Sequence, residues 1–326
     1  MSKKKRLKIG LALGAGGAMG LAHIGVLKVL HEHKIYPDFL AGTSMGAVIA
    51  AGYAAGRTPD ELEEFANTTN WKSIADFTIP KAGLLHGKKA LDKIKELVYN
   101  KSFEKLNTKL RIVAYNLDLD EKVVFSKGNL ARAVRASISI PGVFSPIKID
   151  NHDYIDGAVT DPTPFDVVKE MGADIVIAVD LYSKEKIVEA PKLKEQSFYD
   201  ELKEKFVAAE LLNVRNYLIP SKWPEFARKI LIWTFDKLLY PAKVIRILSG
   251  KEYPQIVKVM YDTFDVLCNN LARERLKNAK IDVIVTPKAG HLSWVDFNEI
   301  SAFVKIGEKA MRQKLPQLKE KLGINY

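Results

Sequence analysis

The start of the chain contains two consecutive units in which an apolar stretch is followed by a glycine-rich turn and a helix-like segment. In the first unit, Leu7 to Leu13 is apolar, and Gly14 to Gly20 leads into residues with apolar positions at helical spacing. In the second, Pro37 to Ala41, Gly42 to Gly46 and Ala47 to Gly56 repeat this order. Strands that alternate with helices pair in parallel, so these units predict an α/β fold.

The later sequence continues this alternation and then changes character near residue 183. We expect an α/β fold with three layers, a mostly parallel sheet flanked by helices, and a helical insertion. Residues 1–183 are the predicted core, 184–279 the insertion, and 280–326 a return strand and C-terminal helix of the core. Further strands are predicted at Leu110 to Asn116, Lys122 to Ser126, Ile175 to Asp180 and Ile281 to Thr286.

The segment Gly42-Thr43-Ser44-Met45-Gly46 has the pattern G-x-S-x-G between a predicted strand and a predicted helix. A serine nucleophile there needs a sharp turn that lifts its hydroxyl above the sheet, and glycines allow the neighbouring backbone to approach. An ordinary Gly-Ser turn is the alternative, but the flanking strand and helix favour a nucleophile. We therefore predict Ser44 as the nucleophile, with Gly42, Met45 and Gly46 completing the turn.

The loop from Gly14 to Gly20 opens a helix and so presents several unpaired backbone N–H groups. Such groups bind an anion, either a cofactor pyrophosphate or the oxyanion of a tetrahedral intermediate. No register of the loop fits G-x-G-x-x-G, which argues against a dinucleotide and leaves a nucleotide-binding oxidoreductase as a third interpretation. We predict an oxyanion role and no cofactor.

Asp156 stands directly before glycine in Asp156-Gly157-Ala158. A carboxylate in this position suits a tight turn that directs it into a cleft, although many Asp-Gly pairs are only turns. The motif gains its significance from the serine pattern and the glycine loop that precede it in the chain.

Taken together and in this order, the three motifs resemble the patatin-like phospholipase family. In that family a glycine-rich loop, a G-x-S-x-G serine and a D-G-A or D-G-G aspartate form the site. The resemblance covers Leu7 to Asp180 and resumes from Ile281 to Phe297. It departs at Met19, where members usually carry Arg or Lys, so any contact made by that basic side chain is in doubt.

The resemblance implies a role for each motif. Ser44 would be the nucleophile, Asp156 its general base, and the backbone N–H groups of Gly16, Gly17 and Ala18 the oxyanion hole. The expected activity is cleavage of fatty acyl esters of phospholipids or lysophospholipids through an acyl-enzyme. No metal is expected.

Two further interpretations remain open from the sequence. The order Ser44, Asp156, His291 matches that of an α/β-hydrolase triad, in which His291 would be the base. The chain could also bind a membrane surface, with a hydrolase core that is catalytically incidental.

Charge and cysteine content limit the partners and the compartment. There are 50 Lys and Arg against 39 Asp and Glu, a net charge of +11, which favours approach to anionic surfaces. Cys268 is the single cysteine, so no intrachain disulfide is possible and a cytoplasmic location is expected. The basic residues before Leu7 resemble a secretion signal, but Leu7 to Leu13 is better interpreted as the first strand.

The predicted insertion contains a segment that suits a membrane interface. From Lys222 to Lys251 there are seven Lys or Arg and two acidic residues, a net charge of +5, and aromatic and aliphatic residues lie between them. The insertion is therefore expected to act as a lid, a membrane-interface segment or a homodimer interface. We expect an anionic membrane surface and an acyl-ester lipid as partners, and no nucleic acid.

Overall fold

The computed structural model describes residues 6–69, 74, 76, 83–182, 224, 225, 229, 231–233, 255–290, 292 and 294–324. His291 and most of the segment from Lys222 to Lys251 lie outside these residues. No helix in this part of the chain has both the length and the apolar character needed to cross a membrane.

A mixed β-sheet forms the centre of the molecule. The described strands in it lie in the order β10, β9, β1, β2, β4, β8 and β7, with β5 also paired to β4, and β3 pairs separately with β6. The bounds are β1 Ile9–Leu13, β2 Phe39–Thr43, β3 Gly83–Leu85, β4 Lys109–Asn116, β5 Glu121–Phe125, β6 Gly142–Phe144, β7 Ile147–Ile149, β8 His152–Asp156, β9 Ile175–Val179 and β10 Val283–Val285.

The five strands β10, β9, β1, β2 and β4 are parallel. Strands β5 and β8 pair with β4 in antiparallel orientation, and β7 pairs antiparallel with β8. Every residue of β1, β2 and β9 is buried, as expected for parallel strands that are covered on both faces. The carboxyl ends of β1 and β2 therefore meet at one edge of the sheet, where the two glycine turns begin.

Helices cover both faces of this sheet. The described helices are α1 Ala22–Glu32, α2 Met45–Ala54, α3 Pro59–Thr68, α4 Lys88–Leu97, α5 Leu130–Ser137, α6 Phe165–Glu170, α7 Gln255–Lys277 and α8 Ile300–Leu322. Gly25 on α1 and Gly307 on α8 leave no room for a Cβ, because Val304 and Ala22 of the facing helix approach at backbone distance. Two glycines thus bring the C-terminal helix directly onto the first helix.

The predicted strand–turn–helix units are confirmed, with small shifts at their boundaries. The first strand is Ile9–Leu13, and the second extends to Thr43, so that Gly42 belongs to the strand. The short strands β6, β7 and β8 were not predicted, because three to five residues carry too little periodicity.

The C-terminal part of the described chain adds a strand and a helix beside the sheet. Strand β10 pairs with β9, and α8 follows it. Helix α7, within the predicted insertion, packs Phe264, Cys268 and Ala272 against the core. The division at residues 183 and 279 itself stays a prediction.

Candidate active site

Ser44 occupies the tight turn between β2 and α2. Its backbone has φ 54° and ψ −125°, a strained conformation for a residue with a side chain. The Ser44 carbonyl accepts hydrogen bonds from the N–H groups of Ala47 at 2.9 Å and Val48 at 3.2 Å. The Ser44 N–H donates to Oγ of Ser137 at 2.8 Å. The turn thus holds the Ser44 side chain at the positive end of α2.

Both glycines of the G-x-S-x-G pattern are required by close backbone contacts. A Cβ on Gly42 would lie 2.6 Å from Cα of Ala47. A Cβ on Gly46 would overlap the carbonyl of Leu13 at the end of β1. Met45 begins α2 and packs over Gly20, where a Cβ would lie 2.6 Å from Cβ of Met45. The turn is therefore fixed against the first glycine loop.

Asp156 is the last residue of β8 and is fully buried. The sheet brings it close to Ser44, because β4 pairs Val113 with Thr43 and the next residue, Ala114, with Asp156. Two residues that are 112 positions apart in the sequence are thus joined through adjacent positions of one strand.

The Asp156 carboxyl is only partly satisfied. Its Oδ1 accepts a hydrogen bond from the N–H of Ala158 at 2.9 Å. The Ser44 side chain also hydrogen-bonds this carboxyl and acts to lower its pKa. Oδ2 nevertheless has no partner at good hydrogen-bond geometry within the described residues. The contact with Ser44 is therefore loose, as catalytic hydrogen bonds often are before substrate binds.

Burial dominates the charge state of Asp156. It raises the pKa of this carboxyl to about 7, while the hydrogen bonds from Ser44 and from the Ala158 N–H oppose the rise. A carboxylate with a pKa near neutrality can both accept and return a proton.

The glycine loop places its backbone beside Ser44. Gly17 has φ 56° and lines the same cavity as Ser44. The N–H of Ala15 donates to the carbonyl of Pro162 at 2.8 Å, whereas those of Gly16 and Gly17 donate to no group in the described part of the chain. These two amides remain available for an anion.

Ala18, the third residue of the predicted oxyanion hole, differs from the other two. Its N–H donates to the carbonyl of Trp294 at 2.7 Å. This amide is already engaged in this structure, and its role as an oxyanion donor stays a prediction. The segment around Trp294 follows β10, and nothing in the local sequence of the glycine loop indicates this contact.

Ser137 and Ser139 connect the two predicted site residues, and no role was predicted for either. Ser137 accepts the Ser44 N–H, and the carbonyl of Ser139 accepts the Asp156 N–H at 3.0 Å. Arg135, which is buried, donates to Oγ of Ser139 at 2.6 Å. The segment at the end of α5 therefore fixes the backbone of both residues. Its Ser-x-Ser spacing is the signal that sequence analysis could have used.

His23 and Met19 lie behind the glycine loop. His23 is fully buried, its Nε2 lies 2.8 Å from the carbonyl of Gly14, and burial lowers its pKa to about 4. This histidine is neutral and braces the loop. Met19 is 2% exposed and packs in the core, so it makes an apolar contact where the family resemblance led us to expect a basic side chain.

An apolar cavity with a free volume of about 160 Å³ is lined by Ser44. Val48 and Ile49 of α2 form one wall, and α3 and α4 form the opposite wall. Trp294 and Phe297 line it as well. The Ser44 side chain therefore lies beside space suited to a hydrocarbon chain.

Within the described residues, no three His, Cys, Asp or Glu side chains come together as a metal site requires. His291 lies outside these residues, so the structure does not place the base of the alternative triad.

Comparison with known proteins supports the family resemblance. Residues 11–169 match the family model described as patatin-like phospholipase. An uncharacterized NTE family protein of Mycobacterium tuberculosis is 39% identical over 181 residues, which are 55% of this chain and 50% of that protein. Human patatin-like phospholipase domain-containing protein 6 is 35% identical over 185 residues, 54% of this chain and 14% of that protein.

The similarity thus spans about half of the mycobacterial relative and a smaller part of the human one. Among solved structures, VipD from Legionella pneumophila has a TM-score of 0.53 at 13% identity, covering 97% of this chain and 67% of that one, which supports a shared fold. The family model and the relatives agree, and residues 11–169 of this chain form a patatin-like phospholipase domain.

Proposed function

We propose that the protein is a lipid acyl hydrolase that cleaves fatty acyl esters of phospholipids or lysophospholipids. The observation that carries the proposal is the position of Ser44, which lies on a strained turn, beside a buried carboxyl and at the wall of an apolar cavity. The relatives named as patatin-like phospholipases support the substrate class.

In the proposed reaction, Oγ of Ser44 attacks the ester carbonyl carbon and Asp156 accepts the hydroxyl proton. The N–H groups of Gly16 and Gly17 stabilise the oxyanion of the tetrahedral intermediate. Collapse of this intermediate breaks the ester C–O bond, and the leaving alcohol takes the proton from Asp156. Water, deprotonated by Asp156, then attacks the acyl carbonyl carbon. The bond between this carbon and Oγ of Ser44 breaks, Oγ takes the proton back from Asp156, and the fatty acid is released.

The raised pKa of Asp156 makes this carboxyl a better base than an exposed one, and the amides offset the charge that forms on the substrate. Removal of one oxyanion donor typically costs about 3 kcal/mol of transition-state stabilisation. His23 is an unsuitable base, because burial lowers the pKa of its imidazole to about 4.

The first test compares Ser44→Ala, Asp156→Asn and His291→Ala in hydrolysis of a phospholipid with two different acyl chains. We expect both of the first two variants to lose at least about a thousandfold in kcat/KM, because nucleophile and base act as one unit. His291→Ala should retain activity. Mass spectrometry of the products also identifies the acyl position that is cleaved.

Two outcomes would contradict this assignment. Activity retained by purified Ser44→Ala would exclude Ser44 as the nucleophile. Loss of activity in His291→Ala as well as in Asp156→Asn would favour the triad instead.

Association with an anionic membrane surface is part of the same proposal. Of the predicted interfacial segment, the structure describes Leu231 and Trp233, which are 37% and 62% exposed. Helix α7 adds Val259, Val266 and Leu267 as exposed apolar side chains. Exposed apolar side chains next to basic residues suit the boundary between lipid headgroups and acyl chains.

A further inference from the structure

The cavity beside Ser44 follows helix α2 and ends before the helix does. Ser44, Met45, Val48 and Ile49 line it, whereas Gly52, one turn further along, does not. Gly52 follows Ser44 by eight positions, and eight positions span about 12 Å along a helix axis. Other side chains must therefore lie between Gly52 and the end of the cavity.

Two leucines from the opposite wall occupy this space. Leu62 on α3 and Leu97 on α4 are each 2% exposed and line the cavity. A Cβ added to Gly52 would lie 2.6 Å from Cδ2 of Leu62 and 3.0 Å from Cδ1 of Leu97. The two side chains therefore stand between Gly52 and the cavity, and the missing side chain at Gly52 allows them to sit back against α2.

Among the residues that the structure describes, few polar side chains lie near this end of the cavity. The polar side chains in the lining, apart from Ser44, are Thr69 and Lys93, and the amine of Lys93 pairs with Glu96 at 2.6 Å. The lining contributed by α3 and α4 is otherwise aliphatic or aromatic. This end of the cavity therefore suits the methyl end of an acyl chain rather than a polar group.

We propose that the contact of Leu62 and Leu97 with Gly52 forms the floor of the acyl-binding cavity and limits the enzyme to medium-chain acyl groups. The inference rests on the proposed hydrolase function. A chain that ends at the floor gains the full benefit of burial, and each methylene beyond it has no apolar space to enter. The depth between Ser44 and the floor thus sets the preferred chain length.

The floor can be moved in both directions. Leu62→Ala and Leu97→Ala remove side-chain volume and deepen the cavity. Gly52→Ala adds a methyl group behind the leucines and pushes their flexible ends toward the cavity, which makes it shallower. A change of opposite sign from the two kinds of variant would not arise from general loss of stability.

The experiment measures kcat/KM for p-nitrophenyl esters of butyrate, octanoate, dodecanoate and palmitate. We expect the unmodified protein to prefer octanoate. Each Leu→Ala variant should raise the ratio of dodecanoate to octanoate about tenfold, since each additional buried methylene contributes roughly fourfold. Gly52→Ala should shift the preference toward butyrate.

Leu27→Ala is the matched control. Leu27 lies on α1, is as deeply buried as the floor leucines and does not line the cavity. The Leu27→Ala variant should lose a comparable free energy of unfolding, and its dependence of kcat/KM on acyl chain length should not change. Leu97→Val is a milder floor variant whose smaller shift can be measured if an alanine variant does not fold.

Two results would overturn the inference. One is a preference for palmitate in the unmodified protein, and the other is an identical profile in all folded variants. Ser44→Ala separates this failure from that of the proposed function. If Ser44→Ala is inactive while the profiles do not differ, the floor alone is wrong, and if Ser44→Ala hydrolyses the esters, the proposed function fails with it.

Discussion

At the scale of single residues, the site combines strain with burial. The positive φ of Ser44 costs on the order of 1–3 kcal/mol, which hydrogen bonds from Ala47 and Val48 and to Ser137 offset. Asp156 has no charged partner among the causes of its pKa shift, so burial governs its protonation. The nucleophile is thus placed by backbone geometry and the carboxyl is tuned by its surroundings.

The pKa of Asp156 predicts how activity depends on pH. Only the deprotonated carboxyl can accept the Ser44 proton, so kcat/KM should rise with pH, by about tenfold per pH unit below pH 7, and level off above it. The measurement is kcat/KM of a soluble ester from about pH 5 to pH 8.

Stability provides the control for this prediction. The pKa of Asp156 is raised above its ordinary value of 3.8, so protonation favours the folded state, and this group's contribution to stability declines as pH rises from about 4 to about 7. Loss of activity at low pH is therefore not caused by unfolding through Asp156. A kcat/KM that does not change with pH between about pH 5 and pH 8 would exclude Asp156 as the base.

At the scale of elements, helix α7 couples the predicted insertion to the aspartate turn. Sγ of Cys268 donates to the carbonyl of Ala158 at 3.3 Å, and the N–H of Ala158 donates to Asp156. Arg275, further along α7, bridges the buried Asp161 at 3.0 Å and Asp166 at 2.9 Å. Movement of α7 would therefore shift the backbone turn that hydrogen-bonds the proposed base, Asp156.

The exposed apolar side chains of the predicted interfacial segment give a testable membrane surface. Replacement of both Leu231 and Trp233 by serine should weaken flotation with vesicles that contain anionic lipid, because these exposed side chains lose apolar contact with the bilayer. Leu119→Ser, at a position that is 55% exposed in the turn between β4 and β5, is the control. Equal flotation of all three proteins would refute this membrane surface.

At the scale of the whole molecule, the sequence predicted motifs formed within one short segment and missed contacts between segments that are distant in the chain. The G-x-S-x-G turn and the glycine loop were predictable, because strand, turn and helix follow one another within a few residues. The Asp-Gly turn was also visible. Its approach to Ser44 was not, since it depends on pairing of β2 and β8 with consecutive residues of β4.

Contacts between distant segments account for the remaining differences. The carbonyl of Trp294 accepts a hydrogen bond from the Ala18 N–H. Ser137 accepts one from the Ser44 N–H, and Ser139 accepts one from the Asp156 N–H. No periodicity within one segment indicates such pairs. The depth of the acyl cavity likewise depends on α2, α3 and α4 together, so only the folded chain reveals it.

The most direct test of the proposed mechanism is to trap the acyl-enzyme. The protein is mixed with an octanoyl ester, quenched in acid during turnover and digested, and its peptides are analysed by mass spectrometry. We expect an octanoyl group on Ser44, absent from Ser44→Ala. Octanoate release with the acyl group on another residue would contradict it.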